Sequence, residues 1–127
     1  MITLAIDYGT KKIGLAISNK DATIAFPHTV IQNDDFLWET LQNIIEQENI
    51  EKIIVGTPQY NITTPFFTEL KTFMATIKAK VALPIETYDE LLTSQAAKKQ
   101  TKGNGDHDIA AMLILEGYLN KIKERKE

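Results

Sequence analysis

Residues 2–18 hold two apolar runs divided by a short polar turn, and no other segment constrains the fold as strongly. The first run, Ile2-Thr3-Leu4-Ala5-Ile6, reads as a buried strand and ends on Asp7. Gly9 and the polar residues after it form a hairpin turn, and Ile13 to Ser18 returns as the second strand. Asp7 thus stands at the end of a central strand. A carboxylate there is costly unless a cation compensates it, which makes Asp7 the first candidate metal ligand.

A chain of 127 residues is expected to form one domain, spanning 1–127. No stretch approaches the roughly 20 apolar residues of a membrane span. The N-terminus has no basic segment followed by an apolar run and a cleavage site. Cysteine is absent, which excludes disulfides and thiolate chemistry. Together these features predict a cytoplasmic protein without membrane contact. The formal net charge of −3 excludes a protein that holds nucleic acid mainly by bulk positive charge. Local phosphate binding through cations, lysines and helix N-termini stays open.

The remaining chain reads β-α-β-α-β-α-α after two opening strands. Residues 24–31 form a third strand, which Pro27 assigns to a sheet edge. Asn33 or Asp34 caps a helix over 36–47, whose Leu37, Leu41, Ile44 and Ile45 follow helical spacing. Residues 52–56 are apolar in their middle and predict a buried parallel strand. A polar loop over 57–64 precedes a helix over 65–78, with Pro65 in its first turn. The apolar positions Phe66, Phe67, Leu70 and Phe73 of that helix are assigned mostly to the core. Residues 84–88 make a fifth strand. A short helical stretch begins at Asp89 or Thr93 and reaches Lys99. A linker follows over 100–105, and the last helix runs over 106–123. The predicted fold is α/β: a mixed five-stranded sheet, three antiparallel strands and then parallel βαβ units, flanked by helices.

Such a sheet gathers acids from distant parts of the chain. Parallel first, fourth and fifth strands place Asp7 and Glu90 at one edge, where open α/β sheets put their sites. Asp106 and Asp108 open the last helix. Mg²⁺ or Mn²⁺ takes carboxylate oxygens together with substrate phosphates, and a pair of such ions suits phosphodiester hydrolysis. Each acid also has a structural use: Asp7 in a turn, Glu90 on the surface, Asp106 as a cap, Asp108 against the helix dipole.

The segments that line this edge resemble the YqgF (RuvX) family. The resemblance rests on residues 7–16 (DYGTKKIGLA), on 53–58 (IIVGTP), on Asp89-Glu90 with Leu92-Thr93, and on 110–119 (AAMLILEGYL). It runs in order over nearly the whole chain. It implies an RNase H-like fold and a nuclease acting on structured nucleic acid. Its substrate would be a precursor of small-subunit (16S) rRNA, in ribosome biogenesis, or a Holliday junction in branched DNA. It further implies that Asp7, Glu90 and an acid on the last helix are catalytic metal ligands, and that Lys11 contacts phosphate.

Two positions depart from the family pattern. Leu91 stands where the family has Arg, whose planar fork for phosphate Leu cannot replace, so either substrate positioning and activity are reduced or Lys98, Lys99 or Lys102 substitutes. The family's last acid lies three residues before the Ala pair, a position held here by His107. At about 100° per residue, with Glu116, Asn120 and Lys123 outward, His107 points most directly at the sheet. Asp106 and Asp108 stand about 100° to either side. Asp108 is favoured over Asp106, which has a use as N-cap, and His107 is a further ligand or general base. One or more of the three supplies the last ligand. Substrate contacts are expected from Lys11, Asn61 and Lys102, with Gln59 and Tyr60 available to bond or stack on a nucleotide.

Two other classes compete. Actin-like and sugar kinases share an Asp-x-Gly-Thr hairpin, but they enclose ATP between two such domains and this length supplies one. A degenerate nucleic-acid-binding module is the second rival, supported by Leu91 and the displaced acid. A junction resolvase acts as a homodimer, whereas an RNA trimmer can be a monomer.

Overall fold

The computed structural model describes residues 1–57, 65–89 and 107–126. Five strands form one sheet in the order β3-β2-β1-β4-β5. They are β1 (Thr3–Asp7), β2 (Lys12–Ser18), β3 (Ala25–Gln32), β4 (Lys52–Thr57) and β5 (Ile85–Asp89). The helices are α1 (Leu37–Gln47), α2 (Pro65–Lys80) and α3 (His107–Lys126). β1 pairs antiparallel with β2, and β2 with β3, while β1, β4 and β5 run parallel. The mixed sheet expected from the apolar pattern is therefore present.

Strand alternation sorts the core into two layers. Leu4, Ile6, Ile13, Leu15, Ile53 and Val55 face one side, where they pack with Leu37, Leu41 and Ile44 of α1 and Leu70, Phe73 and Ile77 of α2. Ala5, Ala16 and Ile54 face the other, beneath Ala111, Ile114, Leu115, Tyr118 and Leu119 of α3. Leu70 and Phe73 are thus core as expected, with Phe66 half-buried against them. The layer under α3 is made of small residues in β1 and β2, which lets that helix lie close to the sheet.

β3 is an edge strand, as Pro27 predicts, and Phe26, Pro27 and His28 are exposed. Leu15 pairs with Thr29 and Ala16 with Pro27, so His28 is a bulge that interrupts the edge. α1 closes with Asn49 at φ 56°. Ile50 N–H donates to Ile45 O at 3.0 Å and Asn49 N–H to Glu46 O at 3.4 Å, a left-handed stop that buries Ile50.

Several boundaries differ from expectation. Phe36 holds the cap position of α1 without a side-chain bond. Asp34 Oδ1 accepts from Phe36 N–H at 2.9 Å, in a turn just ahead of the helix, and Asn33 bonds elsewhere. α2 continues to Lys80, and β5 takes in Asp89 through its pairing with Thr57. The expected helix to Lys99 and the linker over 100–105 lie outside the described residues.

Candidate active site

The parallel ladders align the ends of three strands. Ile6 pairs with Val55 and Val55 with Thr87, so β1, β4 and β5 reach the same edge at Asp7, Thr57 and Asp89. Asp7 shares the parity of Ala5 and lies on the face covered by α3. Across the β1–β2 ladder it pairs with Gly14. A Cβ at Gly14 would overlap the carbonyl of His107, so the bare backbone there admits the first turn of α3.

That close seat brings His107 to Asp7, with Nδ1 3.9 Å from Oδ2. The Asp7 side chain is only 13% exposed and that of His107 is 39% exposed, so the pair opens to solvent on the His107 side. The separation exceeds a hydrogen bond. Ligands about 2.1 Å from one ion stand about 3.0 Å apart at adjacent octahedral positions and about 3.4 Å apart in a tetrahedron, so a divalent cation shared by the pair would draw the two atoms closer than they stand. Carboxylate oxygen suits Mg²⁺ and Mn²⁺, and an imidazole favours the transition ion. Among the described residues no third His, Cys, Asp or Glu joins them.

Asp108 is used differently: its Oδ1 accepts from the N–H of Ile109 at 2.9 Å. Lys11 is exposed in the hairpin next to Asp7. Glu90, Asn61, Lys98, Lys99, Lys102 and Asp106 lie outside the described residues. β5 nevertheless ends one residue before Glu90 and α3 begins one residue after Asp106.

The hairpin has its own supports. Gly9 crowds the carbonyl of Lys12, leaving no space for a side chain. Asn33 Nδ2 donates to Gly9 O at 2.9 Å and to Tyr8 Oη at 3.2 Å. The Tyr8 ring lies 4.7 Å from that of Phe73 and 6.0 Å from that of Phe66. Asn33 is read from sequence only as a cap candidate; nothing in its neighbours signals a bond back to residues 8 and 9.

On the face covered by α3, at the far end of β4, Lys52, Glu86 and Tyr118 form a polar cluster. Lys52 Nζ lies 2.7 Å from Glu86 Oε2. It also donates to the Tyr118 hydroxyl, which in turn donates to Glu86. Burial and then the bond to Glu86 hold the Tyr118 hydroxyl above its ordinary pKa. Burial alone would lower Lys52, but the bonds to Glu86 and Tyr118 outweigh it and raise it.

Comparison with known proteins bears on the family and the fold. A family profile described as "RuvX: Holliday junction resolvase" matches residues 1–121. A protein of Maridesulfovibrio salexigens named "Putative pre-16S rRNA nuclease" is 36% identical over 135 residues, covering 94% of this chain and 98% of its own. One of the same name from Rickettsia africae is 36% identical over 140 residues, covering 94% and 86%. Among solved structures, RuvC of T. thermophilus in complex with a Holliday junction substrate superposes with a TM-score of 0.68 at 14% identity, over 97% of this chain and 96% of that one. The fowlpox virus Holliday junction resolvase gives 0.58 at 15% identity, over 95% and 99%. At such identities the likeness is one of fold, and the fold is RNase H-like. With its profile matched over residues 1–121 and its relatives matched over most of their length, the chain belongs to the RuvX family.

Proposed function

We propose that this protein is a divalent-metal-dependent nuclease that hydrolyses phosphodiester bonds in structured RNA, with the 5′ leader of a 16S rRNA precursor as substrate. The observation that carries the proposal is Asp7 at the end of the central parallel strand, with His107 Nδ1 3.9 Å away on the face under α3. The names of the relatives at 36% identity support the RNA substrate.

Asp7 and His107 would hold the cation, joined by Glu90 after β5 and by Asp106 or Asp108 at α3. A pair of divalent ions held there would supply activation of a water and neutralisation of charge on the leaving oxygen. The chain's own residues do the rest. Asp7 supplies a carboxylate shielded from bulk water, where its interaction with a cation is strengthened. Lys11 binds a substrate phosphate beside that carboxylate as a point charge. Asn61 and Lys102 extend the contact along the backbone, in the cytoplasm where no membrane surface competes.

The family description favours a second substrate, a four-way DNA junction, cut by a homodimer. Leu91 in place of an arginine favours a third outcome, a binder without turnover.

Purified protein and its Asp7→Asn variant, each with Mn²⁺ or Mg²⁺, are offered labelled leader RNA and a labelled four-way junction. Metal-dependent cutting of the RNA, lost in Asp7→Asn, is the expected result. Cutting of the junction alone would replace the RNA reading by the resolvase one. Binding of either substrate with no cutting would leave the degenerate module.

A further inference from the structure

We propose that Asn33 is a positioning residue for the metal site, acting through the β1–β2 hairpin; this rests on the nuclease reading above. Three bonds leave Asn33 and all end in residues 8–11. Its backbone N–H donates to Lys11 O at 2.9 Å, a bond that any residue but proline could make. Its side-chain amide donates to Gly9 O at 2.9 Å and Tyr8 Oη at 3.2 Å. Those two bonds use both protons of one nitrogen, which Asp, Ser and Ala do not have.

The place of these bonds matters. Asp7 faces α3, while the ring of the next residue, Tyr8, packs on Phe73 and Phe66 in the opposite layer. The chain thus changes face between Asp7 and Tyr8 and enters the turn at Gly9. Asn33 holds the carbonyl of the Gly9–Thr10 peptide and donates to the Tyr8 hydroxyl, so it fixes the turn that follows directly on Asp7 and Tyr8. Among the described residues the turn's own side chains give no other support: Gly9 has none, and Thr10 and Lys11 are exposed. With this hold on the turn, the Asp7 carboxylate is kept toward His107. Without it, Asp7 swings with the turn and meets a cation less often in the competent geometry.

A mere structural latch would lower thermal stability and leave the folded protein's metal affinity alone, so metal affinity is the deciding readout. Mn²⁺ is titrated into ¹⁵N-labelled full chain, and paramagnetic broadening of the Gly9 and Gly14 amide signals gives a midpoint. In Asn33→Ala the midpoint is expected to rise about tenfold, the lower end of what loss of an outer support costs a metal site. In Tyr8→Phe, which keeps the Gly9 bond, it is expected to stay within about twofold. If Asn33→Ala does not fold at the assay temperature, Asn33→Ser is titrated in its place, with the same expectation. A wild-type midpoint in the folded variant, with a lowered melting temperature alone, overturns the proposal. A wild-type protein whose Gly9 and Gly14 signals ignore Mn²⁺ overturns the nuclease reading first and this one with it, and the two failures are told apart by the wild type alone.

Discussion

Gly14 of β2 lies directly beneath the carbonyl of His107 in α3. A Cβ on Gly14 would overlap that carbonyl and come within 2.8 Å of the His107 Cβ. The same glycine pairs with Asp7 across the antiparallel ladder. One missing side chain therefore sets how near the last helix comes to the carboxylate that ends β1.

Gly14→Ala tests this seat. The atoms in its way are mostly backbone, which cannot swing aside as a side-chain tip would. Overpacking of this kind costs about 1–3 kcal/mol, or roughly 3–10 °C in melting temperature for a domain of this size. The first turn of α3 lifts, His107 withdraws from Asp7, and Mn²⁺ affinity falls as well. Scanning calorimetry and a Mn²⁺ titration measure both effects. A melting temperature equal to that of the wild type would mean that α3 does not rest on this residue.

The first residues of α3 can be separated by mutation. His107 approaches Asp7, whereas the Asp108 carboxylate accepts a bond from the next amide. His107→Ala is expected to weaken Mn²⁺ binding by about tenfold or more, and to weaken Mg²⁺ binding less, because imidazole suits the transition ion better. Asp108→Asn keeps an oxygen for Ile109 N–H and is expected to change metal affinity less than twofold if that is the role of Asp108. Isothermal titration with each ion decides, and a larger loss in Asp108→Asn than in His107→Ala would assign the ligand to Asp108 instead.

The Lys52–Glu86–Tyr118 cluster predicts a loss of stability in alkali. Both Lys52 and Tyr118 have folded pKa values raised above the ordinary 10.5 and 10.0. Each group thus binds its proton more tightly in the folded state, and its contribution is complete below those ordinary values. The contribution is lost as pH rises through the folded values, above about pH 10. Glu86 is half exposed, so solvent screens the pair and the effect is modest. Tyr118→Phe removes one link and is expected to cost about 1 kcal/mol at neutral pH, while flattening the alkaline decline. Thermal melts from pH 8 to 11.5 would contradict this if the variant and the wild type fell in parallel.

Much of the architecture follows from local pattern. The parity of Leu4 and Ile6 against Ala5 is set by the period of a strand, and Pro27 can only be accommodated where a strand has no outer neighbour to bond. The apolar middle of β4 requires cover on both faces, which the two helical layers provide. The site was legible in part: Asp7 at a strand end and His107 on the inner line of a helix are one-dimensional facts. The Asn33 clamp, the Lys52–Glu86–Tyr118 cluster and the seat at Gly14 were not, because each joins residues from 24 to 93 positions apart through contacts that no local spacing encodes. An Asn next to an Asp before an apolar helix is also a sound capping signal, and tertiary bonding overrode it.

Gly117 gives the last prediction, because two effects there oppose each other. Ala is favoured over Gly within a helix by about 1 kcal/mol. A Cβ on Gly117, however, would stand 2.5 Å from the Tyr88 hydroxyl and 3.0 Å from Cζ of that ring. Overpacking costs about 1–3 kcal/mol, so Gly117→Ala is expected to destabilise on balance by up to about 2 kcal/mol. Tyr88→Phe removes the nearest atom. In that background the same Gly117→Ala change is expected to be neutral or stabilising, with a coupling of about 1–2 kcal/mol between the two sites. Chemical denaturation of the four proteins in the cycle measures it. Tyr88 also stands two residues before Glu90. A ring pushed off α3 by Gly117→Ala should carry the end of β5 with it and lower metal-dependent cleavage, and Tyr88→Phe should restore cleavage along with stability. Additive free energies in the cycle would show that Tyr88 and Gly117 do not share this contact in solution.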